Sequence, residues 1–186
     1  CGRQFALWRL AQRWRTHANA LGSTTGRCHT LAAGRTTHVG LTHMQAQRRS
    51  LSDGRWHFQH GPIDMVLQCE GDPQACATAT ETAWLRFTDV LPELVSELPW
   101  LRQPVLRLQD HVFKHAMAQR MHQATRAAAV ATPDGFVTPM AAVAGAVAQE
   151  MARCLAQTGV ERGYVNNGGD IALHLQAGES WRVGVV

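Results

Sequence analysis

Lysine is nearly missing from this 186-residue chain: Lys114 is the only one among 18 basic residues. We read that as a compositional bias toward arginine. Acidic residues are absent before residue 44, where six arginines stand alone (Arg3, Arg9, Arg13, Arg15, Arg27 and Arg35). The rest carries twelve basic and fourteen acidic side chains, which leaves it close to neutral. Phosphate binding by a folded domain needs a basic face, so no nucleic-acid partner is expected for it. No apolar run approaches 18 residues, which excludes a membrane-spanning helix of ordinary length. The five cysteines are too few and too scattered for a disulfide scaffold. The HExxH, CxxC and GxSxG patterns do not occur, which removes the simplest zinc and serine-nucleophile readings.

At 45% apolar and 17% charged residues the chain has enough material for a packed core and is no disordered tail. Residues 1–43 read as an arginine-rich arm outside the fold. One helix is conceivable from Phe5 to Ala20, followed by a Gly/Thr/His-rich stretch without periodicity. The arm suits upstream translation with Met44 as initiator; a targeting or RNA-binding role is the alternative. It lacks the apolar core of a secretory signal, so the expected location is cytoplasmic.

From Met44 onward the pattern is α+β. Ser50 to His60 reads as a strand pair about Asp53-Gly54, and Ile63 to Cys69 as a strand. Asp72-Pro73 is a helix start, with an N-cap and a first-position proline. That helix is expected over 73–90 with Ala77, Trp84, Phe87 and Leu91 facing the core, and a kink or restart at Pro92. Val105 to Leu108 suits a short strand. A helix is expected over 109–129, with Val112, Ala116, Met117, Met121 and Ala124 inward, then a turn at 132–135. Thr138 is expected to cap a helix over 139–158, its buried stripe Met140, Val143, Ala144, Val147, Met151 and Leu155, ended by Gly159. Strands follow over 162–165, 171–175 and 181–186. The last stops with the chain inside it, so the domain 44–186 is expected to be incomplete at its C-terminal end.

Thr138 to Asp170 holds the most chemistry. The start of helix 139–158 offers unpaired N–H groups and a positive dipole end. Gly145 among alanines lets a flat ligand or a second backbone come close. Gly168 and Gly169 can take positive φ and present successive amides to phosphate. Asp170 beside them suits Mg²⁺ or a ribose hydroxyl. A hairpin turn followed by nothing more than a packed alanine helix is the plain structural alternative.

Two runs in this segment carry a resemblance: TPMAAVAGAVA from Thr138 to Ala148, and YVNNGGDIA from Tyr164 to Ala172. With Gly61-Pro62-Ile63-Asp64, they make residues 44–186 similar to the ApbE-like superfamily, and within it to its UPF branch. The resemblance implies antiparallel sheets with packed helices in a T-fold-like arrangement. It implies a flavin (FAD) and Mg²⁺ as cofactors. It also implies FMN transfer from FAD to a hydroxyl of an acceptor protein, with self-association open. Carried onto this chain, Thr138, Ala141, Gly145, Asn166, Asn167, Gly168 and Gly169 would contact the phosphorylated ligand, and Asp170 would be the catalytic and metal-binding acid. The first run departs from the D-x-G-G-x-A-K-G type of FMN transferases: it has neither the acid nor the lysine. A non-catalytic ligand-binding or structural member is therefore the alternative.

Other candidates are plainer. His111 and His115 lie four apart on a predicted helix and could share a metal; packed or solvated imidazoles are the expected reading. Cys69 and Cys76 are expected to be reduced thiols. Asp64 is either a polar site residue or a surface acid at a strand start.

Overall fold

A computed structural model of the chain describes residues 45–108, 110–131, 136–182 and 184. The arm 1–43 and the turn at 132–135 lie outside the described residues. The rest is α+β, as the patterning implies. Five strands form one antiparallel sheet in sequence order: β1 (Gln47–Ser50), β2 (Trp56–His60), β3 (Ile63–Gly71), β4 (Val160–Asn167) and β5 (Asp170–Leu175). Four helices lie between β3 and β4: α1 (Pro73–Ser96), the single turn α2 (Leu98–Leu101), α3 (Ala116–Ala131) and α4 (Val143–Leu155).

One face of the sheet is the core. Phe58, Met65, Leu67 and Val165 alternate inward along β2 to β4 and are buried. Phe87, Leu94, Val147, Met151 and Leu155 cover them from α1 and α4. Phe58 meets Phe87 at 5.4 Å and Trp84 at 5.2 Å, the latter edge to face, which suits ring quadrupoles. The other face carries His57, Asp64, Gln68, Arg162 and Tyr164.

The helices leave and rejoin the sheet at one point. β3 ends in a bulge at Glu70/Gly71, Gly71 pairs with Val160, and the Asp72 N–H donates to the Gly159 carbonyl at 2.8 Å. Gly71 sits at φ 140°, and a Cβ there would lie 2.3 Å from the Gly159 oxygen. Only glycine permits this crossing.

α1 starts as its sequence implies: Asp72 accepts from the Ala75 N–H at 2.8 Å, with Pro73 in the first turn. It does not restart at Pro92 but runs through to Ser96. Pro92 is exposed, so the carbonyl it leaves unpaired can be solvated, while buried Leu91 and Leu94 hold the helix down on either side. Ala77 is exposed; Ala79, Ala83 and Val90 take the inward face instead.

Two further expectations are corrected. Val105–Arg107 is a 3-10 turn, not a strand. α3 begins at Ala116 rather than 109, because Glu97 determines its start. That carboxylate is 5% exposed and accepts the Lys114 and His115 N–H groups at 2.7 and 3.1 Å. An acid at a helix N-terminus is favoured by both hydrogen bonding and the dipole. Ahead of it, His111 stacks on Trp100 at 4.3 Å and Phe113 is buried, which keeps this stretch out of the helix. Val112, off the helix, is exposed, as are Ala116 and Ala124. Trp181 and Arg182 form no strand; Trp181 turns onto Tyr164, edge to face at 5.5 Å. Val183, Val185 and Val186 lie outside the described residues.

An ion cluster joins three helices. Glu150 of α4 accepts from Arg86 of α1 at 2.9 Å and from Arg120 of α3 at 2.7 Å, and Arg86 also holds Glu93 at 2.8 Å. Burial alone would raise the Glu150 carboxyl, but the two arginines outweigh it and hold it below its ordinary value of 4.5.

Two predictions follow from these contacts. Gly71→Ala should lower stability by about 3 kcal/mol or more, or prevent folding, read from urea unfolding. Because the Glu150 carboxyl is depressed on folding, its contribution is present above pH 4.5 and fades as pH falls through the depressed value. Acid unfolding of Glu150→Gln should therefore show a flatter pH dependence below that point than the parent.

Candidate functional site

The two long runs meet. Asn167, the last residue of β4, is 4% exposed, and its carboxamide donates to the Ala144 carbonyl at 3.1 Å. Ala144 lies in the first turn of α4. This bond ties the β4–β5 turn to the helix start. It also gives the buried Asn167 carboxamide a partner, while the Ala144 carbonyl keeps its place in the helical ladder.

The turn itself is Asn167-Gly168-Gly169-Asp170. Gly168 has φ 64° and Gly169 φ 102°, the two positive values that a type I′ hairpin demands. The Gly169 N–H donates to Asn166 Oδ1 at 2.9 Å. The Asn166 carboxamide thus occupies the position that a ligand oxygen would take on that amide. Gly168, Gly169 and Asp170 are all exposed. Asp170 pairs with Asn167 across the hairpin, so both side chains are on the helix-bearing face.

Gly145 follows Ala144 and is exposed. Nothing lies within 4 Å of where its Cβ would be, and the same holds for Gly169. Gly145 lies on the exposed stripe of α4 with Gln149 and Arg153, so it and the hairpin tip each face open space. No side chain caps α4; its first amide, the Val143 N–H, donates to the Met140 carbonyl of the turn that leads into it.

Thr138 and Ala141 stand further back. Residues 139–142 form a 3-10 turn rather than the first turn of one long helix, and α4 begins only at Val143. Thr138 gives no side-chain cap; its carbonyl accepts from the Ala141 N–H at 3.0 Å. The turn packs mainly against α3. α4 ends at Leu155, short of the expected 158, and Gly159 leads directly into β4.

Asp64 lies on the opposite sheet face and pairs with His57 Nε2 at 2.9 Å. It is not part of the corner. His111 and His115 do not share a helical turn, since α3 starts after both. Among the described residues no group of three His, Cys, Asp or Glu side chains is arranged to hold a metal, and no helix is long and apolar enough to cross a membrane.

A second feature escaped the sequence reading. A cavity of about 330 Å³ lies between the sheet and the first turns of α1, lined by Arg48, Trp56, Cys69, Cys76, Thr80 and Glu81. Arg48 pairs with Glu81 and lies over Trp84 at 5.0 Å. The signal was the seven-residue spacing of Cys69 and Cys76 across a strand end and helix start, which only the tight turn at Gly71 converts into contact.

A protein-family profile described as AbpE bacteria matches residues 48–186. The chain belongs to that family. No curated protein and no solved structure shows significant similarity to it. The AbpE bacteria match begins within β1 and spans the rest of the sheet, the helices and both long runs.

Asn167→Ala should cost about 0.5–1.5 kcal/mol by removing the bond between hairpin and helix, the Ala144 carbonyl keeping its helical partner. Asn167→Asp should cost more, because a carboxylate would face that carbonyl without a proton to donate. Thermal unfolding of the three proteins checks the order.

Proposed function

We propose that this AbpE bacteria member binds a phosphorylated ligand, a flavin dinucleotide or a similar diphosphate, at the corner between the Gly168–Gly169 turn and the start of α4. The observation that carries this reading is the Asn167–Ala144 hydrogen bond. It sets a glycine turn beside the start of α4, which no side chain caps, with open space over Gly145. Amides on rigid elements suit a diphosphate because their dipoles are already oriented.

The similarity of the two runs to ApbE proteins supports a flavin as the ligand and FMN transfer to a protein hydroxyl as the reaction. Asp170, exposed on the helix-bearing face, is the residue that would hold Mg²⁺, with phosphate oxygens and water completing the shell. The metal would supply neutralisation of diphosphate charge. Gly168 and Gly169 shape the turn so that a phosphate can approach. Asn166 yields the Gly169 amide or shares it.

A binding role without transfer is favoured by one observation. The first run has no acid or lysine, and Ala144 is buried with its carbonyl committed to Asn167. No charged side chain from that position reaches the corner.

FAD added to the full chain should show a change in flavin fluorescence that saturates. Gly145→Leu should weaken binding tenfold or more, about 1.4 kcal/mol, while the fold persists, because the new side chain meets only open space. An unchanged FAD signal in the parent would remove the proposal. AMP release that needs Mg²⁺ and disappears in Asp170→Asn would establish transfer; binding without release would leave the binding role.

A further inference from the structure

We propose that Cys69 and Cys76 form a redox-modifiable dithiol, closing to an intramolecular disulfide by exchange with a small-molecule disulfide that enters the cavity between β3 and α1. Cys69 is on the inward side of β3, in register with Gly163. The chain then turns at Gly71 and Asp72 into α1, and Cys76 follows in its first turns. Cys69 Sγ lies 3.5 Å from the Cys76 carbonyl and 3.6 Å from Thr80 Oγ1, one turn further along the helix. Both thiols are free and part-exposed, and both line the same cavity.

Their arrangement differs from that of Cys154. This third described cysteine is free and part-exposed, and its charged neighbours are Glu150 and Arg86 rather than a second thiol. It can form a mixed disulfide, but among the described residues no second thiol neighbours it to resolve one.

The exchange runs in two steps. The Cys69 sulfur, as thiolate, attacks one sulfur of the small disulfide. That S–S bond breaks, and the departing thiolate takes up a proton. The Cys76 sulfur then gives its proton to solvent and attacks the Cys69 sulfur. The mixed bond breaks and a second small thiol leaves. Two protein thiols are oxidised to one disulfide, and one small disulfide is reduced to two thiols.

The surroundings slow the Cys76 step. Burial first, then the adjacent Cys69 thiol, push Cys76 up to about 11, and Asp72 and Glu161 act in the same direction. Arg48 and Glu81 at the cavity are already paired with each other. A thiol raised this far is a slow nucleophile near neutral pH, so closure should quicken as pH rises toward that value. The new bond would tie the end of β3 to the start of α1 across the Gly71 turn.

The test uses the full reduced chain with bis(2-hydroxyethyl) disulfide, followed by intact mass and peptide mapping. The expected product yields a linked Cys69–Cys76 peptide pair two hydrogens lighter than its reduced form, whatever adducts the other cysteines carry, and reverts with dithiothreitol. Cys76→Ser should stop at a mixed adduct on Cys69. Adducts at Cys154 with Cys69 and Cys76 still reduced, or stable separate adducts on both, would overturn the proposal. Mapping of the parent alone decides this if the variant does not fold.

Discussion

The crossing at Gly71 and Gly159 is the constraint on which the rest depends. Antiparallel neighbours normally follow each other in sequence, yet β3 and β4 are separated by every helix in the domain. They can pair only if the chain leaves and returns at one place. A backbone approach that a single methyl group would block makes this possible. Once it is closed, α1 departs over the sheet and α4 comes back over it, and the buried side chains of both reach Phe58, Leu67 and Val165. The dithiol lies at the same crossing, because the turn that brings β4 to β3 also folds Cys76 back over Cys69.

Much of this was legible beforehand. The α+β pattern, the Asp72-Pro73 helix start and the Asn-Gly-Gly-Asp hairpin each rest on local chemistry, which one sequence carries within a few residues. The unbroken run of α1 past Pro92 was not legible, because solvation of the freed carbonyl and burial on either side are not visible in sequence. The start of α3 was misread for a related reason. Glu97 is far from residue 114 along the chain, and only the fold brings its carboxylate to those amides. The apolar spacing of Val112 and Ala116 was accidental.

At the corner, the convergence of the two runs was legible but its cause was not. The sequence suggested a nest of glycine amides. Asn167 and Asn166 carry the contacts: one holds the helix start, the other holds the turn closed. Asparagine in a hairpin is so common that neither would stand out from composition or spacing.

The small side chains of α4 connect fold and site. Ala144 and Ala148 are buried against their neighbours, and alanine lets a helix approach a sheet more closely than a leucine would. The Asn167 carboxamide is short, so its hydrogen bond to a helix carbonyl exists only at that close approach. A larger residue at either position would push the helix outward, lengthen the bond and widen the corner at once. The packing of the helix and the geometry of the candidate ligand site are therefore one property, and changes to the alanine stripe would register in both.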